Sequence, residues 1–293
     1  MEGRAEAPAA GTVLNALATG TGSAFAIDRY VRAAVDIDPD ADAVTGELAE
    51  DPDADTALIE RCVEVAADHA GRSVGGTVRT ESDVPQAAGL KSSSAAANAA
   101  VLATLSALDA AGAVDREDAA RLGVRAARDA GVTVTGAFDD ASASMLGGLT
   151  VTDNREDLLR HRDEVDWAVL VWSPPERAYS ADADVEQCRQ VAPLAETAAE
   201  LALAGRYGPA MNVNGLAFCA ALDRPTAPLV EAYPHATGAS LSGTGPSYVA
   251  VGDRPALEAI RDDWNRREGD TWLTTTQTDG ARTRWTSTNS GTR

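Results

Sequence analysis

Asp83-Val84-Pro85-Gln86-Ala87-Ala88-Gly89-Leu90-Lys91-Ser92-Ser93-Ser94-Ala95-Ala96-Ala97-Asn98-Ala99 is the stretch on which the reading of this chain turns. Residues 74–82, just before it, read as a strand, and an Ala-rich helix over 94–108 follows. Between them lies a turn of small residues. A helix start presents unpaired backbone N–H groups and the positive end of the helix dipole, which together suit phosphate. Gly89, with the small Ala87 and Ala88 before it, lets a polyphosphate come close to the main chain. Lys91 adds a point charge, and Ser92, Ser93 and Ser94 offer hydroxyls to phosphate or Mg²⁺. A plain serine cap accounts for one of these residues. Three serines beside the chain's only lysine point further, to phosphate.

Two common nucleotide signatures are absent. A Walker loop needs Gly-Lys-Ser/Thr without interruption and an earlier glycine; here Leu90 separates Gly89 from Lys91, and position 84 is Val. Gly20-Thr21-Gly22-Ser23-Ala24-Phe25 carries Phe where a dinucleotide fingerprint needs its third glycine.

The whole chain has 293 residues, 25 Lys+Arg and 45 Asp+Glu, for a formal net charge of −20. Of the bases 24 are Arg, and Asp (28) outnumbers Glu (17). This balance argues against a nucleic-acid surface, which needs clustered cations, and against an anionic membrane. Asp-rich, nearly Lys-free composition fits a salt-filled cytoplasm, where screening is short-ranged. The hydrophobic content of 44% excludes wholesale disorder. No run reaches the roughly 18 apolar residues of a membrane span, and Met1-Glu2-Gly3-Arg4-Ala5-Glu6 is unlike a secretory leader. Cys62, Cys188 and Cys219, like His69, His161 and His235, are too scattered for a disulfide framework or a zinc site. A cytoplasmic location is the expectation.

Along the chain, 25–37 reads as a strand after a Gly/Ala/Thr-rich 11–24, and the acidic 38–55 reads as an exposed loop or edge. Helices are expected over 56–70, from Asp115 to Gly131, and over 181–190, 194–204, 208–221 and 255–267. Strands are expected over 148–153 and 165–172, with the apolar Trp167 and Trp172 in the core. A Gly-rich turn running into a strand falls within 237–252, and a Thr/Trp-rich hairpin closed at Asp279-Gly280 is expected over 271–287. The charged, apolar-poor 154–164 marks the best domain break, giving units 1–154 and 155–293. Strands and helices without regular alternation indicate α+β.

Pro85…Gly89-Leu90-Lys91-Ser92-Ser93-Ser94-Ala95 resembles the phosphate loop of the galactokinase, homoserine kinase, mevalonate kinase and phosphomevalonate kinase (GHMP) superfamily. The usual form, Pro-x-x-x-Gly-Leu-Gly-Ser-Ser-Ala, has Gly where Lys91 stands. Gly-Leu-Lys-Ser-Ser-Ser-Ala is instead the hallmark of the archaeal shikimate kinase branch. Thr135-Gly136-Ala137-Phe138-Asp139-Asp140-Ala141-Ser142-Ala143-Ser144…Gly147-Gly148 resembles that branch's acidic segment. Leu241-Ser242-Gly243-Thr244-Gly245-Pro246-Ser247 resembles the third superfamily motif, and Ala9 to Ala16 also fits the branch.

The resemblance implies a two-domain α+β kinase that binds ATP and its acceptor in the cleft between domains, with Mg²⁺. The acceptor it implies is shikimate, phosphorylated at its 3-hydroxyl. Homoserine kinase or another small-molecule kinase of the superfamily is the alternative, and a non-catalytic nucleotide binder is a remote one. The implied nucleotide contacts are Pro85, Gln86, Ala87, Ala88, Gly89, Leu90, Lys91, Ser92, Ser93, Ser94 and Ala95. The acid facing the acceptor hydroxyl, eight residues before Gly148, is Asp140, with adjacent Asp139 the other choice. Mg²⁺ would meet Ser93 and, by a count of eleven residues before Asp140, Asp129. Asn15, Thr12, Ser242, Gly243, Thr244 and Gly245 would serve the acceptor or close over the phosphates, and an Arg would face the acceptor carboxylate. Two anionic substrates imply a locally positive cleft, with the acidity on outer surfaces such as 38–55. Nothing in the sequence fixes an oligomeric state.

Overall fold

The computed structural model describes residues 1–178 and 183–283. Its first strand, β1 (Glu2–Leu14), pairs antiparallel with β2 (Thr21–Asp38), from Glu2↔Asp36 to Leu14↔Ser23. The sequence reading starts its first strand at 25 and misses β1. Every residue from Ala5 to Leu14 is buried, so the strand shows no polar alternation. Alanine has little intrinsic preference for strands, and packing overrides it here.

β2 is long enough to serve two partners. Its early part pairs with β5 (Leu149–Asp153) and its later part with β4 (Gly75–Ser82). β3 (Val44–Leu48) lies parallel to β4, inside the stretch expected to be a loop. β6 (Leu158–Asp163) pairs with β5, and β11 (Arg282–Thr283) pairs with β1. Among the described residues this sheet runs β11-β1-β2-β4-β3, with β5 and β6 attached to β2.

α1 (Ala57–His69), α2 (Ser92–Ala107) and α4 (Phe138–Leu146) pack on this sheet, and α3 (Arg116–Asp129) packs on those three helices. α2 touches β1 and β2 as well as α1, α3 and α4. Alanine makes that central place available, because it needs little room and loses no side-chain entropy. Asp115 caps α3 as its spacing to Asp118 suggests, accepting the Asp118 N–H at 2.8 Å. Asn98 of α2, fully buried, donates to the Ala141 carbonyl at 2.9 Å and so ties α2 to α4.

The second sheet contains β7 (Ala168–Ser173), β8 (Gly238–Leu241), β9 (Tyr248–Gly252) and β10 (Asp270–Thr275), in the order β10-β7-β9-β8. With it lie α5 (Val185–Arg189), α6 (Ala192–Leu203), α7 (Tyr207–Ala221), α8 (Ala227–Ala232) and α9 (Arg254–Trp264). Of the helix expected over 181–190, positions 181 and 182 lie outside the described residues. Trp172, buried in the core, stacks on Tyr248 at 5.3 Å, and Trp167, half-buried, meets Phe25 edge-on at 5.7 Å at the core's margin. One hydrophobic cluster joins Val13, Phe25 and Leu149 of the first sheet to Val169, Val171 and Val249 of the second.

Two expectations change. The hairpin over 271–287, whose positions 284–287 lie outside the described residues, does not form between β10 and β11. β10 pairs with β7, while the Asp279-Gly280 turn carries the chain across to β1. A Thr/Trp alternation specifies a strand but not its partner; Arg282 finds its partner in the buried Glu6 of β1. Secondly, residues 158–163, charged and past the expected break at 154/155, form an exposed strand of the first sheet. The chain leaves that sheet between Asp163 and Ala168.

Candidate active site

The loop from Pro85 to Lys91 connects β4 to α2 and is held from several sides. The Ala10 N–H donates to the Leu90 carbonyl (3.1 Å), the Ser242 hydroxyl to the Gly89 carbonyl (2.8 Å), and the Ser247 N–H to the Ala88 carbonyl (3.2 Å). Gly89 has φ +80°, and a Cβ there would overlap the Ser242 carbonyl, so glycine is required twice over. Lys91 occupies the N-cap of α2 with φ +63°, a left-handed backbone that costs an L-residue roughly 1–2 kcal/mol. Ala87 and Ala137 share this conformation, and all three line one cleft. Such strain gathers at functional sites.

The cleft holds about 580 Å³. Gln86, Ala87, Gly89, Lys91, Ser92, Ser93 and Ser94 form its floor. The first bond of the α2 ladder is Ala95 N–H to Lys91 O, 3.0 Å, which leaves the N–H groups of the three serines outside the ladder. Ala88, Leu90 and Ala95 are buried beneath, and Pro85 is exposed; these four do not line the cleft.

Opposite the loop, the first turn of α4 carries Asp139 and Asp140, and the two point apart. Asp140 lines the cleft with its Oδ1 3.0 Å from Lys91 Nζ; the side chains are 15% and 9% exposed. This contact is an ion pair off the hydrogen-bond angle, and Oδ1 has no hydrogen-bond partner among the described residues. Burial, reinforced by the charge of Asp139, pushes the Asp140 carboxyl up to about 7 despite the opposing pull of Lys91. Asp139 is buried and turned away, its Oδ1 accepting from Asn154 Nδ2 at 2.7 Å.

Asp129 is not brought to the cleft. It sits at the end of α3 in an ion pair with Arg61, 2.8 Å, on the exposed side. Thr12 and Asn15 meet the third motif: the Gly243 N–H donates to Thr12 Oγ1 (2.8 Å), and Asn15 Nδ2 donates to the Gly243 carbonyl (2.9 Å). Their polar groups hold that loop. Gly243 lines the cleft beside Lys91, and Ser242 is spent on Gly89. The Gly245 N–H closes the turn on the Ser242 carbonyl at 2.9 Å, and Thr244 is buried, facing a separate cavity with Arg177 and Arg224.

The charge expectation is corrected. Glu50, Asp51 and Asp55, from the acidic stretch placed outside, line one end of the cleft. Lys91 and Arg177 are its cationic side chains among the described residues, and Arg177 lies 3.6 Å from Asp51. Positive potential therefore arises locally, from Lys91 and the start of α2. The sequence reading also missed the wall formed by Leu48, Leu58, Ile59 and Thr80, which needed the placement of β3. Asn154 was missed as well, and no local signal marks it.

A cleft in which the start of α2 faces a paired lysine and carboxylate fits a small-molecule kinase, and residues 57–148 match the family model for the N-terminal domain of GHMP kinases. The homoserine kinase structure from Cytophaga hutchinsonii shares the fold, with a TM-score of 0.74 and 17% identity over 97% of both chains. Two shikimate kinases from Halobacterium salinarum are 67% identical over 283 residues, 97% of this chain and 100% of theirs. That of Methanosarcina mazei is 48% identical over 265 residues, 90% of each chain. The chain belongs to the archaeal shikimate kinase family of the GHMP superfamily. Its acidic, lysine-poor composition fits the likeness to Halobacterium proteins.

Proposed function

We propose that this protein transfers the γ-phosphoryl group of ATP to the 3-hydroxyl of shikimate, releasing shikimate 3-phosphate and ADP. The observation that carries the reading is the Lys91–Asp140 pair at the head of the phosphate loop, in a chain whose full-length relatives are shikimate kinases. Phosphoryl transfer needs positioning and charge stabilisation more than covalent chemistry. The free N–H groups of Ser92–Ser94 and the Lys91 ammonium would hold the phosphates. Asp140 Oδ1 would accept the hydroxyl proton as the new O–P bond forms and the bond from Pγ to the β-phosphate oxygen breaks. A carboxyl near 7 is matched to that task. Asp139, directed at Asn154, would act from behind.

Mg²⁺ would be held at this site with few protein ligands. Among the described residues no group of three or more His, Cys, Asp or Glu is arranged to hold a metal. Mg²⁺ commonly takes one or two protein ligands and keeps its waters. Ser93, open in the first turn of α2, is the residue that would meet it, and the ion would supply charge neutralisation for the transferring phosphoryl group.

The test is an acceptor screen with purified protein, Mg-ATP and molar KCl. Shikimate-dependent ADP release with shikimate 3-phosphate as product is expected. ATP binding without shikimate-dependent release, or preference for homoserine in competition, would overturn the assignment. Among the described residues no helix is long and apolar enough to cross a membrane.

A further inference from the structure

We infer that Asn154 is the positioning residue of this site, clamping Asp139 from behind so that its neighbour Asp140 is delivered to Lys91. The inference rests on the phosphoryl-transfer role proposed above for Asp140. Asn154 follows β5, 15 positions after Asp139 in sequence, and is 2% exposed. Its Oδ1 accepts the Asp139 main-chain N–H at 3.1 Å, and its Nδ2 donates to Asp139 Oδ1 at 2.7 Å. One amide thus grips the first turn of α4 by backbone and side chain together.

The amide is itself held. Thr152 Oγ1 donates to Asn154 Oδ1 at 2.7 Å, and Nδ2 also reaches Thr135 Oγ1 at 3.4 Å. The Asn154 N–H donates to the Gly20 carbonyl (2.8 Å), and Arg128 Nη2 donates to the Asn154 carbonyl (3.3 Å). Gly22 leaves the space Asp139 occupies, for a Cβ there would overlap Asp139 Oδ2. Successive helix residues diverge by about 100° around the axis. Fixing Asp139 toward β2 and β5 therefore fixes Asp140 toward the cleft.

Only a side chain with both donor and acceptor makes this double contact. Aspartate at 154 would keep the acceptor and lose the donor, setting two carboxylates together. The paired exchange Asp139→Asn with Asn154→Asp reverses the amide–carboxylate bond and keeps one charge in the pair.

The experiment compares the parent, Asn154→Asp and the paired exchange by kcat and by KM for each substrate. The acceptor used is whichever one the parent phosphorylates; parent inactivity toward shikimate would sink the acceptor assignment and leave this comparison intact. Asn154→Asp is expected to lower kcat roughly a hundredfold, the scale of an ångström's misplacement. KM for ATP should stay within about twofold, because no ground-state contact to nucleotide is lost. The paired exchange should restore most of the kcat. An Asn154→Asp kcat within roughly threefold of the parent, or a loss the exchange leaves unrepaired, would overturn the clamp. If Asn154→Asp does not fold, the exchange variant decides alone: near-parent turnover supports the clamp, and a hundredfold deficit refutes it.

Discussion

Replacing Lys91 with methionine removes the ammonium and keeps an unbranched, apolar side chain on the same left-handed backbone. At the 3.0 Å separation from Asp140, two unit charges in an effective dielectric near 20 attract by roughly 5 kcal/mol. Partial exposure and salt reduce this, and measured shifts from one opposite charge run at about 1–3 pH units. With Lys91 in place the Asp140 carboxyl sits at about 7. Without it, a shift of about two pH units would place it near 9. The base form would then fall at pH 7 from about one half to about one in a hundred. The expected pH profile of kcat keeps its shape and moves its acidic limb upward. Activity should be roughly fiftyfold lower near pH 7 and largely recovered near pH 9.5. The assay is coupled ADP release at saturating Mg-ATP and shikimate in molar KCl. A limb that stays where the parent's lies, with only the KM for ATP raised, would refute the link between Lys91 and Asp140 and leave Lys91 a nucleotide contact alone.

Asp140→Asn should lower kcat by about 10²–10⁴-fold with little change in KM for ATP, measured by steady-state kinetics. The same variant tests the energetics. A carboxyl raised from 3.8 to about 7 binds more protons folded than unfolded. Its contribution to stability is therefore full below about pH 4 and is lost as pH rises through about 7, at up to about 1.4 kcal/mol per pH unit. Denaturant unfolding at pH 5 and pH 7 should show the parent losing roughly 2–3 kcal/mol that the Asn variant keeps, and equal pH slopes would contradict the burial of this charge. Gly89→Ala adds a methyl against the Ser242 carbonyl at a left-handed position, and should cost more than about 2 kcal/mol by denaturant midpoint together with nucleotide affinity. Thermal midpoints should climb with added KCl as the charge of −20 is screened; a protein most stable in dilute buffer would count against the salt-adapted reading.

The residues of the candidate site are more legible in the sequence than the frame that holds them. Lys91 and the serines stand out because a cation, a turn and a helix start are contiguous, and local chemistry needs no knowledge of the fold. Spacing within a resemblance favours Asp140 and leaves Asp139 beside it as the other choice; their different directions appear only when α4 is placed against Asn154. Asp129 shows where counting fails: the position is right for a helix end, yet Arg61 of α1 claims it. β1 was hidden because a strand buried on both faces carries no period-two signal. The acidic 38–55 looked solvated, yet three acids at 50–55 line the cleft, since nothing local says which side of a loop faces a cavity.

The pairing of β11 with β1 has a consequence for how this protein is made. Arg282 stands opposite Glu6, 276 positions away, so a strand made early waits for one made much later to find its sheet partner. Until then β1 presents an unpaired edge, a template for other strands, and buried Glu6 lacks one of its two cations, Arg282 and Arg32. Shortening the chain before 282 should therefore be felt at the opposite terminus, as aggregation through the β1 edge. An N-terminal half cut at 154 would lack both this closing strand and β6. The two sheets divide the architecture, but the first is closed only once the segment beyond the second has been made.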